Sequence, residues 1–320
     1  MSERLAVLLG ATLLDRLVGD PPWLWRRLPH PVVGFGAAIA WADRRFNRPG
    51  LSFAARRRNG VLSILLLMAA TMSAGILLHR VFAAFGTPGL ALESIFAAVF
   101  LAHRSLADHV AAVALALRRE GLAGGRRTVS MIVGRDPEGL DEAGVCRAAI
   151  ESLAENASDG LVAPFLAFLV FGLPGLLVYK LLNTADSMIG HRSERHLAFG
   201  WAAARLDDLA NLVPARLTAL LFALASGRAF RPAIVVAVRD AGTHRSPNAG
   251  WPEAAVAGAL GIALGGPRRY GELVVEAEYL NAAGRSDADP ADIDRSLVLF
   301  ARLGNILVAG LGLTLVAGLS

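Results

Sequence analysis

Apolar residues in this chain run in long stretches that give way abruptly to dense polar blocks, a pattern of membrane helices rather than of alternating strands. Val61 to Leu78 is eighteen residues without a charge, enough for a helix to cross a hydrocarbon core of ~30 Å. Leu297 to Leu319 is a second candidate span, interrupted by Arg302 and Asn305. Ala91 to Leu101 is apolar apart from Glu93 and Ser94, and the pattern continues as one helix to Leu117, carrying His103, Arg104, Asp108 and His109. Leu5 to Val18 is short, holds Asp15 and Arg16 and lacks a small-residue cleavage site before Asp20. It reads as an embedded or partly inserted helix rather than a cleaved signal peptide. Leu161 to Leu182 is divided by F-G-L-P-G, Phe171 to Gly175. A glycine and proline break there predicts two half-helices, a re-entrant or tightly bent hairpin covered by protein or lining a polar cavity. A short helix is expected from Glu253 to Leu264, ending at Gly265-Gly266. Pro267 to Ser296, with Glu272, Glu276, Glu278, Asp287, Asp289, Asp292 and Asp294, reads as a helix and loop leading into the last span.

Composition agrees with that pattern. The 320 residues are 54% hydrophobic with a mean hydropathy of +0.49, above what soluble domains carry. The expectation is an all-α, polytopic integral membrane bundle with broken or re-entrant helices and cytoplasmic polar loops, one membrane domain over 1–320. The net charge of +5 comes from clusters at Arg44 to Arg58, Arg118 to Arg127, Arg192 to Arg205 and Arg228 to Arg245. Under the positive-inside rule these are cytoplasmic loops of a multi-pass protein of the cell (inner) membrane, with its polar site facing the cytoplasm. Clusters on both sides of Leu161 to Leu182 favour the re-entrant reading. No basic stripe is interleaved with aromatics, so nucleic acid is not an expected partner. A single cysteine, Cys146, rules out an internal disulfide and a cysteine-rich metal site.

Candidate chemistry sits in the polar blocks. Tyr179 to Gly190, Y-K-L-L-N-T-A-D-S-M-I-G, holds the only lysine among 32 strongly basic side chains. Where arginine fills every other basic position, Lys180 suits a task for a compact ammonium, such as meeting a phosphate or carboxylate. Snorkelling at a membrane boundary is the plain alternative. In E-S-L-A-E-N-A-S-D-G, Glu151, Glu155 and Asp159 recur every four residues, so a helix would align three carboxylates on one face. That is either a solvated acidic face or a place for a cation such as Mg²⁺. In A-A-R-L-D-D-L-A-N-L-V-P-A-R-L-T, Asp207 and Asn211 share a helical face and Pro214 interrupts the helix. Arg216 there needs a carboxylate, Asp207 or Asp208, or a ligand phosphate. S-P-N-A-G-W-P, Ser246 to Pro252, reads as a loop whose His244, Ser246, Asn248 and free backbone N–H groups face an anion. Near the N-terminus stand G-D-P with Asp20 and H-P-V with His30, and Gly134-Arg135-Asp136 forms a further polar block.

No P-loop, G-x-S-x-G elbow or H-E-x-x-H motif occurs. The ordered series of G-D-P, H-P-V with Gly34, E-S-x-A-E-N-x-S-D-G with Ala163-Pro164, Y-K-x-x-N-T-x-D-S-M-x-G, A-R-L-D-D-x-x-N-x-x-P-A-R-L and S-P-N-A-G-W-P-E-A resembles the CobD/CbiB family of cobalamin biosynthesis, the adenosylcobinamide-phosphate synthases. The resemblance covers about Leu5 to Gly271. It implies an ATP-dependent, amide-forming ligase that joins aminopropanol, or aminopropanol phosphate, to the f propionate of adenosylcobyric acid, with ATP and Mg²⁺ as cosubstrate and metal and an acyl phosphate between. On that reading Glu151, Glu155, Asp159 and Asp186 include the Mg²⁺ ligands, and Lys180, Asn183, Asp186 and Glu155 are catalytic. Asp20, His30, Arg205, Asp207, Asp208, Asn211, Arg216, Ser246 and Asn248 bind substrate. Membrane lipid is an expected partner, and a homo-oligomer stays open. The competing class is a non-catalytic AmpE-like membrane protein or a transporter with broken helices.

Overall fold

The computed structural model describes residues 2–134, 137–266, 268–270, 273–275 and 278–318. In chain order the helices are α1 (Ser2–Leu17), α2 (Pro22–Trp25), α3 (Pro31–Phe46), α4 (Phe53–Ala83), α5 (Thr87–Ala98), α6 (His103–Val129) and α7 (Glu142–Asn156). A π turn, Ala157–Val162, leads to α8 (Ala163–Ile189), α9 (Trp201–Ala210), α10 (Leu212–Ala225), α11 (Phe230–Asp240) and α12 (Gly250–Leu260). Four short strands, β1 (Leu264–Gly265), β2 (Arg268–Tyr270), β3 (Leu273–Val275) and β4 (Tyr279–Leu280), precede α13 (Pro290–Ala317). The protein is an all-α, polytopic membrane fold. The runs Phe53–Ala83, Thr87–Val129, Glu142–Ile189 and Pro290–Ala317 are long and apolar enough to cross a membrane, and the bent pair α9 and α10 makes a fifth if it is one span.

The chain forms two compact units: Met1–Leu101 with Ala163–Asn211 and Leu315–Ser320, and Ala102–Val162 with Leu212–Thr314. In the first unit, α4 packs on α8 and α9 through glycines. A Cβ on Gly60 would meet the Phe199 carbonyl oxygen at 1.9 Å, and one on Gly75 the Pro174 Cα at 2.7 Å. Lipid tails give helices no hydrophobic reason to associate, so small residues that admit close backbone approach do that work. Around these contacts Ile39, Ile64, Leu181, Ala185 and Phe199 form the buried core.

The break expected near Phe171 to Gly175 falls at Gly172, whose φ of 68° and ψ of −159° interrupt α8 two residues before Pro174. That conformation is open to glycine and strained for other residues. At 1.5 Å per residue the part of α8 before Gly172 is about 14 Å long and the part after it about 26 Å. Carbonyls at the end of the first half lose their helical donors, and the Arg4 guanidinium covers them, Nη1 donating to Val170 O at 2.8 Å.

Several elements differ from the sequence pattern. The continuous helix expected over Ala91 to Leu117 is two helices: α5 ends as Phe100 and Leu101 turn back to the carbonyls of Ala97 and Ala98. In the second unit the Ala102 amide donates to Gly160 O at 3.0 Å, and α6 begins anew at His103. The expected Glu253 helix starts three residues earlier, at Gly250, with Pro252 in its first turn, where a missing N–H costs nothing. It ends at Gly261, φ 70°, before the expected Leu264. The helix and loop expected from Pro267 is instead two antiparallel strand pairs, β1 with β4 and β2 with β3. Glu272 and Glu276 lie outside the described residues. In α9 and α10 the interruption comes at Asn211, and Pro214 sits in the first turn of α10.

Gly60→Ala should lower the unfolding temperature in matched detergent, by an overpacking penalty of roughly 1–3 kcal/mol. Gly310→Ala, where an added Cβ meets nothing within 4 Å, should leave it unchanged or raised. Equal effects at the two sites would show that the close approach at Gly60 is not a packing constraint.

Candidate functional site

Three of the polar blocks meet in the first unit. On the second half of α8, Lys180, Asn183 and Ser187 recur at helical spacing on one face, with Asp186 beside them. From α9 and its end come Asp207, Asp208 and Asn211. Tyr179 Oη donates to Asn211 Oδ1 at 2.9 Å, and Asn211 Nδ2 donates to Asp207 Oδ2 at 2.9 Å. Asn211 is 1% exposed, so this chain ties α8 to α9 without water. Asn183 also hydrogen-bonds the Asp207 carboxylate, and the charge of Asp186 reaches it. Asp207 Oδ1 is buried with no hydrogen-bond partner. Buried oxygens are normally satisfied, so this one marks a place suited to a donor or cation.

Asp186 owes its position to Gly190. A Cβ there would stand 2.0 Å from Asp186 Oδ1. Basic side chains rim the carboxylates: Arg205 lies 3.7 Å from Asp208, Arg192 acts on Asp208 and His191 acts on Asp186. The N-terminal block joins through charge, since both Asp20 and Lys180 act on His30. His30 Nδ1 accepts the Val32 amide at 3.2 Å and caps α3. Its neutral ring therefore carries the proton on Nε2, 3.9 Å from Asp20 Oδ1. Trp25 holds Asp20 from the other side, Nε1 donating at 3.3 Å, and its ring lies tilted against the His30 ring, centroids 4.5 Å apart. Burial lowers the His30 pKa from its usual value, and the carboxylate of Asp20 opposes that shift.

The return from α8 to α9 is clamped by a group that the sequence reading did not single out. Asp43 on α3 accepts from Arg195 Nε at 3.0 Å and from Asn47 Nδ2 at 2.7 Å. Asn47 Nδ2 also donates to Arg195 O at 2.9 Å, and Arg56 Nε donates to Asn47 Oδ1 at 2.6 Å. Burial works against ionisation of Asp43, but the hydrogen bonds from Asn47 and Arg195 outweigh it and hold the carboxyl below its usual range. The signal was present as a lone aspartate ahead of an arginine cluster, without a motif to mark it.

The remaining candidates belong to the second unit. The single face expected of Glu151, Glu155 and Asp159 does not form, because α7 passes into the π turn before Asp159. Glu151 is buried and Glu155 exposed, and Glu151 Oε1 accepts the Gly265 amide at 2.7 Å. Among the described residues no three His, Cys, Asp or Glu side chains gather closely enough to hold a metal ion. Arg216 donates to Leu212 O at 2.8 Å and lies over the Trp251 ring at 4.8 Å. The amides expected to face an anion are engaged within the turn: Ser246 N donates to His244 Nδ1 at 3.0 Å, and Asn248 N and Ala249 N donate to Ser246 Oγ, each at 3.2 Å. Arg135 and Asp136 lie outside the described residues. A cavity of about 640 Å³ in the first unit surrounds the break in α8 and is lined by Arg4, His79, Glu93, Phe171 and Pro174, among others. It shares no residue with the polar face, so volume and chemistry point to different places, and the chemistry is the better guide here.

Comparison with known proteins gives one family. The family described as CobD/Cbib protein matches residues 8–300. A cobalamin biosynthesis protein CobD of Brucella suis is 56% identical over 305 residues, covering 94% of this chain and 93% of its own length. Its counterpart in Rhizobium meliloti is 57% identical over 304 residues, with 93% of each chain covered. That of Rhodobacter capsulatus is 49% identical over 314 residues, covering 98% and 96%. No solved structure matches the chain.

The fold favours neutral His30, so its contribution to stability is fully present above the unfolded pKa of about 6.5 and is lost as pH falls through the lowered folded value. The unfolding temperature of wild type relative to His30→Gln should therefore fall as pH drops from 7 to 5. A difference constant over that range would show that a half-buried, neutral imidazole is not what His30 contributes.

Proposed function

Because the chain belongs to the CobD/CbiB family of cobalamin-biosynthesis proteins, we propose that it forms the amide between aminopropanol, or aminopropanol phosphate, and the f propionate of adenosylcobyric acid, using ATP. The observation that carries this reading is the gathering of Lys180, Asn183 and Asp186 with Asp207, Asp208 and Asn211 beside a buried, orphaned carboxylate oxygen. Such a face mixes what an acyl transfer through phosphate needs.

A carboxylate is a poor electrophile. Transfer of the γ-phosphoryl group of ATP to the propionate oxygen gives an acyl phosphate and ADP. The amine nitrogen then attacks the acyl carbon, the C–O bond to phosphate breaks with its electron pair leaving on phosphate, and the nitrogen loses one proton. Asp186 would take that proton. Lys180 would meet phosphate oxygens with its ammonium, and Asn183 would orient the acyl oxygen as charge develops on it. Arg205 and Arg192 at the rim would attract anionic substrate, and His30 with Asp20 would border the site.

A cage of protein ligands is not required for Mg²⁺, which commonly takes one or two carboxylates and completes its shell with water and substrate phosphates. Asp186 and Asp207 fit that role. When bound, the ion would neutralise phosphate charge. Glu155 and Asp159, near the π turn of the second unit, are the second acidic candidates, and the polar turn of Ser246 and Asn248 with Arg216 is a second substrate-binding candidate. We place the site on the cytoplasmic face of the inner membrane, where ATP is and where the basic clusters belong.

Purified protein incubated with adenosylcobyric acid, ATP, Mg²⁺ and either amine should yield the amide by mass, with one ADP per bond. Hydrolysis-free, ATP-independent behaviour with no new product overturns the assignment. Lys180→Arg keeps the charge but misplaces it by ~1 Å, which should lower the rate on the order of a hundredfold. A near-wild-type rate makes Lys180 a snorkelling residue. Glu155→Gln with normal membrane insertion should lose most activity, regained in part at high Mg²⁺. An unchanged rate and unchanged Mg²⁺ dependence return the acidic block to a structural role.

A further inference from the structure

At the first turns of α4 a groove of about 420 Å³ is lined by Phe53, Ala54, Arg57, Arg58, Val61 and Leu62. Its chemistry changes along the helix. Arg57 and Arg58 stand at the end where α4 begins, and the side chains one to two turns later are apolar and outward: Leu62, Leu65 and Leu66 are 52%, 50% and 69% exposed. A stripe this apolar on a helix long enough to cross a membrane faces acyl chains. Phe53 and Trp201 are also exposed, at 56% and 39%, at the level of the two arginines, as aromatics at a headgroup boundary are. Among the described residues neither Arg57 nor Arg58 takes part in an ion pair. The Arg57 guanidinium instead lies over the Trp201 ring at 3.8 Å, which leaves its charge available.

We propose that this groove is a binding site for an anionic phospholipid, with Arg57 and Arg58 on the headgroup phosphate and an acyl chain along Val61 and Leu62. Charge and shape argue for this occupant over others. Two cations without carboxylate partners at the edge of an apolar, membrane-length stripe match a molecule with an anionic head and a hydrocarbon tail. A soluble anion would use the head alone, and a protein helix would leave the cations unmatched. The site also touches the chemistry. Trp201 is the first residue of α9, which carries Asp207 and Asp208, so a phosphate that orders Arg57 orders the start of that helix.

The test uses the full chain in neutral detergent, titrated with short-chain phosphatidylglycerol or phosphatidylcholine, with unfolding temperature and native mass spectrometry as readouts. Phosphatidylglycerol should raise the unfolding temperature and be retained as one bound lipid, whereas phosphatidylcholine should do neither. Each arginine near an anionic surface is worth about a fivefold change in affinity. Arg58→Gln, which keeps the Arg57 contact with Trp201, should weaken phosphatidylglycerol binding about that much, and Arg57→Gln/Arg58→Gln about 25-fold. Arg228→Gln/Arg231→Gln, with the same loss of charge in the second unit, should retain it. Glycerol phosphate reproducing the shift would reassign the groove to a free phosphate. An equal loss in the Arg228/Arg231 variant would reduce the effect to net charge, and an unchanged response in the Arg57/Arg58 variant would remove the site.

Discussion

Everything in the polar site depends on the chain turning back within eleven residues, from Ile189 to Trp201, so that α8 and α9 face each other. The ion pair of Asp43 with Arg195 makes that turn hold. It is a partly buried carboxylate with several donors, the arrangement in which an ion pair contributes rather than merely offsetting its desolvation. The surrounding backbone leaves no slack. A Cβ on Gly200 would stand 1.6 Å from Ile189 O, and one on Gly60 1.9 Å from Phe199 O. Polar clamp and glycine contacts thus act on the same segment: one draws the loop to α3, the other lets α4 approach it. The link from Tyr179 through Asn211 to Asp207 can then form.

The break in α8 obeys a second constraint. A helix interrupted at membrane depth exposes carbonyls that neither water nor lipid can satisfy. Arg4 supplies donors from α1, and Gly75 lets α4 close over Pro174. The freed carbonyl of Val170 is thus met by Arg4, and α4 lies against Pro174. What the break yields is a second half-helix whose polar face, Lys180 to Ser187, starts only a few residues beyond it.

The spans and the break were legible because they depend on local composition: the apolar run of Val61 to Leu78 lies inside α4, and the glycine and proline at Phe171 to Gly175 mark the interruption found at Gly172. The pairing of Asp207 with Asn211 was legible from helical spacing alone. What failed was what long-range contacts decide. The three carboxylates of the acidic block keep a four-residue period in sequence, yet a π turn and the amide of Gly265 separate their fates, and nothing local announces either. The turn at Ser246 looked like an anion cradle because its residues favour exposed amides, but His244 and the hydroxyl of Ser246 take those amides first. Asp43 was missed for the converse reason: its partners lie some 150 positions away in sequence, at Arg195 and His196.

Asp207 sits where a carboxylate costs the fold stability. An acidic side chain with one oxygen orphaned and another carboxylate nearby is unfavourable in the folded protein alone, and a leucine there would pack without that penalty. Such departures from consistent packing concentrate where a ligand completes the arrangement. The rest of the first unit compensates: Asn211 donates to one oxygen of the carboxylate, Asn183 hydrogen-bonds the same group, and Tyr179 donates to Asn211. One carboxylate oxygen is thus fixed by a donor while the other stays without a hydrogen-bond partner. Rigidity is what separates a preorganised ligand for a cation or substrate donor from a buried charge that the fold would otherwise neutralise or expel.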